Sequence, residues 1–113
     1  MIIDEQGAFR ALADPTRRRI LKHLSKNDLT IAEVADKFSI TRGAIKKHLG
    51  ILEEGQLITV TPQGRERINK LHPEGLKAAA EWMSYFSHFW DDKLASLQNA
   101  IEENTDKDEK HDK

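Results

Sequence analysis

The chain has 113 residues, a formal net charge of −1, 38% hydrophobic residues and no cysteine. That length suits one domain with a modest core, and the missing thiols exclude disulfides, thiolate metal sites and cysteine nucleophiles. No apolar run is long enough to span a bilayer and the N-terminus lacks a basic-then-apolar leader, so a cytoplasmic protein with no membrane partner is expected.

Ile2 to Ala13 carries Ile3, Ala8, Phe9 and Leu12 on a loose helical face. Asp14-Pro15 then punctuates, with Asp14 suited to an N-cap and Pro15 to the first helical position. The next helix passes through Arg17, Arg18 and Arg19 and turns Ile20, Leu21 and Leu24 inward. The arginines cannot share one direction; at least one is a candidate to reach a phosphate, although surface solvation or an ion pair is the commoner use of any given one. Ser25 to Leu29 reads as a polar turn. Thr30-Ile31-Ala32-Glu33 fits a capping box, opening a short helix to Phe38. Ser39-Ile40 is a tight connection before a second helix that starts after Thr41, which is helix-turn-helix spacing.

That second helix, Arg42 to Glu54, has two sides. Ile45, Leu49 and Leu52 face a core, while Arg42, Gly43, Lys46 and Lys47 gather on the opposite side near its start. Thr41 can cap it, His48 lies on its flank, and Gly55 is a ready stop. A basic helix front on an apolar back suits a DNA major groove, although an ordinary solvated face carries the same pattern. After Gly55 the pattern alternates. Leu57 to Thr61 reads as a strand, Pro62-Gln63-Gly64 as a turn and Arg65 to Leu71 as the return strand. A hairpin placed there is a wing, with Gln63, Arg65 and Arg67 at or near its tip.

Pro73 opens the last helix. Leu76, Ala80, Met83, Trp90, Leu94, Leu97 and Ile101 follow heptad spacing, and Trp82, Phe86 and Phe89 form a second apolar stripe. Two stripes call for a second cover, from another copy of the chain or from the first helix. Phe9, Met83, Phe86, Trp90, Leu94 and Leu97 are the candidate dimer residues. Residues 104–113 are almost all charged or polar and read as a disordered tail, leaving 1–103 as the domain.

The enzyme reading lacks parts: no nucleophile stands with a base, and no glycine-rich phosphate cradle exists. The expected fold is mainly α with a small β-hairpin, a winged helix-turn-helix whose terminal helices form a dimer interface. The DNA-contact candidates are Thr41, Arg42, Gly43, Lys46, Lys47, His48, Gln63, Arg65 and Arg67. An RNA-binding winged helix, or a protein-interaction adaptor without DNA binding, are the alternative readings.

The segments Ala11-Leu12-Ala13-Asp14-Pro15-Thr16-Arg17-Arg18-Arg19-Ile20-Leu21 and Lys47-His48-Leu49-Gly50-Ile51-Leu52-Glu53-Glu54-Gly55-Gln56-Leu57-Ile58 resemble the ArsR family of bacterial winged-helix repressors. Gly64-Arg65 and Phe89-Trp90-Asp91-Asp92-Lys93-Leu94 add to the likeness, which covers all but the tail. The resemblance implies a homodimeric repressor on a palindromic double-stranded DNA operator, with the first and last helices as the dimer interface. Many members release DNA when a metal binds. This sequence departs there: the cysteine pair expected near Thr30 to Ala35 is absent, and His88, with Glu81, Asp91 and Asp92 nearby, has no second histidine until His111. It resembles the members that do not sense metals, so no metal and no cofactor are expected, and no inducer can be named.

Overall fold

The computed structural model describes residues 5–111, with side chains through residue 103. The elements are α1 (Glu5–Leu12), α2 (Pro15–Leu24), β1 (Leu29–Thr30), α3 (Ile31–Ala35), α4 (Arg42–Glu54), β2 (Ile58–Gln63), β3 (Glu66–Leu71), α5 (Pro73–Ser84) and α6 (Ser87–His111). They divide into a body, Met1–Trp82, and a distal unit, Met83–Lys113. Ile3, expected on the first helix, lies outside the described residues.

Local chemistry sets the helix starts of the body. Asp14 is extended (φ −102°, ψ 130°), and its Oδ1 accepts from the backbone N–H groups of Thr16 (2.8 Å) and Arg17 (3.2 Å). These are donors that a helix start leaves without internal partners. Desolvation alone would raise the Asp14 carboxyl, but these N–H groups and the charge of Arg17 outweigh it and hold the group below its ordinary value. Thr30 and Glu33 close the reciprocal capping box at 3.2 and 2.9 Å. The Glu33 carboxyl is held low first by its bond from the Thr30 backbone.

Several boundaries differ from the sequence reading. The polar turn at Ser25 to Leu29 ends in a short strand, β1, which pairs antiparallel with β3 through Leu29↔Asn69 and Thr30↔Ile68. The sheet order is β1-β3-β2. Asn69 is buried, and its Nδ2 donates to the Leu29 carbonyl at 3.1 Å, which fixes β1 on the sheet. Helix α3 stops at Ala35 and not at Phe38, so the connection to α4 is longer than Ser39-Ile40, and Ile40 is exposed. The hairpin turn is tighter than expected. Pro62 and Gln63 belong to β2, opposite Arg67 and Glu66, leaving Gly64-Arg65 as the turn. Gly64 takes φ +63°, a positive value at the first central position as type II′ turns require. Pro62 is tolerated because β2 is an edge strand.

The end of α4 shows a subtler difference. Gly55 is not the left-handed residue; its φ is −77°, and Gln56 takes φ +61° instead. Gln56 N–H donates to Glu53 O and Leu57 N–H to Leu52 O, both at 3.0 Å, which is the Schellman pattern. Gly55 is required by crowding: a Cβ there would stand 2.6 Å from the Gly7 carbonyl oxygen. Gly75, in the first turn of α5, has a Cβ position that would overlap the Gln56 carbonyl.

The core joins these pieces. Ile20, Val34, Ile45, Leu52 and Leu57 are fully enclosed, with Ala8, Ala11, Leu49 and Ala79 around them. On α5 the buried positions are Gly75 and Ala79, with Leu76 packed beside them, while Ala80 is exposed. The inward line is therefore rotated from the expected heptad row. The distal unit departs further, because the single last helix expected from Pro73 is broken at Tyr85 and Phe86. Phe86 N–H bonds Met83 O at 3.0 Å, and Trp90 N–H bonds Phe86 O at 3.1 Å. Hydroxyl and aromatic residues, all modest helix formers, occupy the break. Helix α6 runs on to His111, into the expected tail 104–113, whose side chains lie outside the described residues.

Candidate nucleic-acid interface

Thr41 begins the site. Its backbone is extended (φ −67°, ψ 155°) and its Oγ1 accepts from the Ala44 N–H at 3.0 Å. Helix α4 then buries Ile45, Leu49 and Leu52, which leaves Arg42, Gly43, Lys46 and Lys47 exposed on its other side. Gly43 is not demanded by the chain itself: a Cβ there would come no nearer than 3.9 Å to the Thr41 hydroxyl.

The hairpin supplies the facing wall. Arg42 from α4 and Arg65 and Arg67 from the hairpin line one groove of about 280 Å³, closed behind by Thr30, Ile31 and Ala32. A smaller adjoining groove of about 120 Å³ is lined by Lys46 and Gly50 of α4 and again by Arg67. The geometry thus brings the helix start and the wing arginines together. Lys47 lines neither groove. Gln63 is exposed on β2 opposite Glu66.

Some cations of the body are paired with nearby carboxylates. Arg10 pairs with Glu54 (3.6 Å), Lys70 with Asp28 (3.9 Å) and Lys77 with Glu81 (3.9 Å). Among the described residues, Arg42, Lys46, Lys47, Arg65 and Arg67 form no ion pair, although Glu66 lines the same groove. Such a set of unneutralised cations attracts a polyanion. Among the described residues no group of three His, Asp or Glu side chains is placed to hold a metal ion.

The α2 arginines and His48 have partners within the body. Arg18 and Arg19 of α2 are exposed, and each meets a partner on the body: Arg18 donates to the Leu12 carbonyl at 2.7 Å, and Arg19 lies over the Phe38 ring at 4.9 Å. Arg17 donates to the carbonyls of Ala11 (2.8 Å) and Arg10 (3.1 Å) and meets His48 Nδ1 at 3.2 Å. His48 is accordingly half-buried against α2 and does not stand free on the basic face. Sequence reasoning missed this contact. Its one local signal, Arg17 three residues after a capping Asp14, does not point to a partner on α4.

The dimer candidates lie elsewhere. Phe9 is half-buried and meets Trp82 edge-on at 5.5 Å within the body. Met83, Phe86, Trp90, Leu94 and Leu97 are all exposed in the distal unit.

Comparison with known proteins fits this geometry. A family described as a helix-turn-helix domain matches residues 12–61. The transcriptional repressor SdpR of Bacillus subtilis is 34% identical over 88 residues, 78% of this chain and 98% of that protein. The helix-turn-helix-type transcriptional regulator Rv2034 of Mycobacterium tuberculosis is 32% identical over 99 residues, 88% of this chain and 90% of that protein. Among solved structures, an ArsR-like transcriptional regulator from Rhodococcus sp. RHA1 superposes with a TM-score of 0.70 at 30% identity, covering 86% of this chain and 89% of that one. With its helix-turn-helix, its wing and this identity along most of its length, the chain belongs to the ArsR family of winged helix-turn-helix transcriptional regulators.

Proposed function

We propose that the chain is a homodimeric repressor that reads a pseudo-palindromic DNA operator, with α4 in the major groove and the β2–β3 hairpin along the backbone. The observation that carries the reading is the convergence of Arg42, Arg65 and Arg67 on one groove, none of them in an ion pair among the described residues. Arg42, at the helix start, is the base reader, through a bidentate contact to guanine. Gly43 beside it leaves room for a base edge to approach the helix backbone. Lys47, Arg65 and Arg67 neutralise phosphates, and Lys46 stands between the two roles. The exposed apolar side chains of the distal unit, with Phe9, supply the dimer contact, which places two α4 helices on half-sites about one helical turn apart.

The test is fluorescence anisotropy on the tightest duplex selected from a random pool, across a salt series. Arg42→Ala is expected to cost about 1–3 kcal/mol and to relax preference at one position per half-site. Alanine at Arg65 or Arg67 is expected to weaken all sequences alike and to reduce the salt slope by about one per lost contact. Equal affinity for the selected duplex and for random DNA would reject sequence-specific repression.

A further inference from the structure

Helix α4 is fastened to α2 by a contact that its outer face does not use. The Arg17 side chain is 11% exposed. Its Nε donates to Ala11 O, its Nη2 to Arg10 O, and its Nη1 stands 3.2 Å from His48 Nδ1 and 4.0 Å from Asp14 Oδ2. One guanidinium therefore joins the last turn of α1, the first turn of α2 and the middle of α4. A guanidinium carries donors only. His48 Nδ1 must then be the acceptor, so the imidazole is neutral and its proton sits on Nε2.

We propose that Arg17 and His48 form a proton-sensitive latch that holds α4 in its DNA-reading setting and releases it when His48 takes up a proton. Adding a proton at Nδ1 turns the acceptor into a donor and sets imidazolium against guanidinium, so the bond is lost and a repulsion replaces it. Asp14, across on α2, attracts that charge, but its carboxylate already serves the Thr16 and Arg17 N–H groups, and it is Arg17 that sits on Nδ1. Arg10 of α1 directs its side chain to Glu54, and Lys47, next to His48 on α4, is exposed and adds to the repulsion. Protonation has an opposite effect on general attraction, since a new positive charge favours any DNA. The latch therefore shows in discrimination between sequences and not in bare affinity.

The proposal rests on α4 being the DNA-reading helix, and the experiment separates the two. Affinities for the selected duplex and for a random one are measured at about pH 8 and pH 5, about 1.5 pH units either side of the ordinary histidine value. In the unaltered protein the ratio of the two affinities should fall by about tenfold or more at the lower pH, the loss expected for one hydrogen bond to a charged group. His48→Gln keeps an acceptor and cannot titrate, so its ratio should stay high at both values. His48→Lys carries a fixed charge and should give a low ratio at both, with undiminished affinity for random DNA. In the free protein, nitrogen NMR of the imidazole should show Nδ1 unprotonated at pH 8, with a resonance that moves in Arg17→Lys. A ratio independent of pH, or a His48→Gln variant with the unaltered protein's pH dependence, overturns the latch. If the unaltered protein discriminates at neither pH, the assignment of α4 as reading helix falls, and the NMR result alone judges the latch: a proton on Nδ1 overturns it.

Discussion

The body and the distal unit contain similar apolar side chains and treat them differently. In the body Ile20, Ile45, Leu52 and Leu57 have no exposed surface, and the buried polar side chains of Thr30 and Asn69 are hydrogen-bonded. In the distal unit Trp90, Leu94, Leu97 and Ile101 are 58–63% exposed. Helical hydrogen bonds satisfy the backbone of both, so secondary structure does not distinguish them. What differs is layering: in the body several helices and the sheet close their apolar faces on one core, whereas in the distal unit the apolar side chains stay exposed. Apolar periodicity in a sequence therefore reports a face to be covered, without reporting that the chain itself covers it.

The largest test of this contrast removes distal side chains. Trp90→Ala with Leu94→Ala should convert a dimer to monomer in light scattering, at about 1.5–3 kcal/mol for each side chain that a partner buries, while the body keeps its melting transition. An unaltered protein that is a stable monomer at tens of micromolar would break the idea. The next variant attacks the body. Gly75→Ala forces a Cβ into the Gln56 carbonyl, and a loss of about 3 kcal/mol or more is expected, read as a drop in Tm of ten degrees or greater. An unchanged Tm would show that α5 is not seated by backbone contact. In the opposite direction, Gln56→Gly relieves a left-handed residue and should stabilise the body by about 1 kcal/mol in urea unfolding. No gain would mean that the Gln56 side chain offsets its strain.

The smallest effect is a pH dependence of the body. His23 lies edge-on to Phe38 at 5.7 Å, and burial first, then the charges of Lys37, Lys26 and Arg19, push it below its ordinary value. The folded state thus holds this proton less tightly than the unfolded chain. The contribution is fully present above the ordinary histidine value of about 6.5 and is lost as pH falls through it towards the lower folded value. His23→Gln should flatten the decline in urea midpoint between about pH 7 and pH 5. That window lies above the one for Asp14 and Glu33, whose lowered values place their loss in stronger acid. A variant that declines as steeply as the unaltered protein would assign the effect to another group.

What was legible in the sequence was local. Asp14, Thr30 with Glu33, and Thr41 announce helix starts because each cap is made within three residues. The two sides of α4 follow from spacing for the same reason. The hairpin was legible but not its register, since Pro62 and Gln63 look like turn residues until the edge position of β2 is known. What stayed hidden depends on distant partners. Strand β1 exists because Leu29 meets Asn69, and His48 is withdrawn from the basic face by an arginine 31 positions earlier. Gly55 could be named as a helix stop, but the reason for it, a carbonyl of α1, could not.

Those glycine junctions bear on how the protein can diverge. Gly7 against Gly55, and Gly75 against Gln56, bring main chain onto main chain, with no side chain between to lengthen, shorten or change rotamer. The distance from α1 to the end of α4, and from there to α5, is thereby set by atomic radii and cannot drift by small substitutions. The outer face of α4 has no such constraint, since a Cβ at Gly50 would meet nothing within 4 Å and one at Gly43 only the Thr41 hydroxyl at 3.9 Å. With α4 reading DNA as proposed, sequence preference can be rewritten residue by residue on a chassis whose dimensions stay fixed, and grafting another regulator's outward residues onto this helix should leave its seat unmoved.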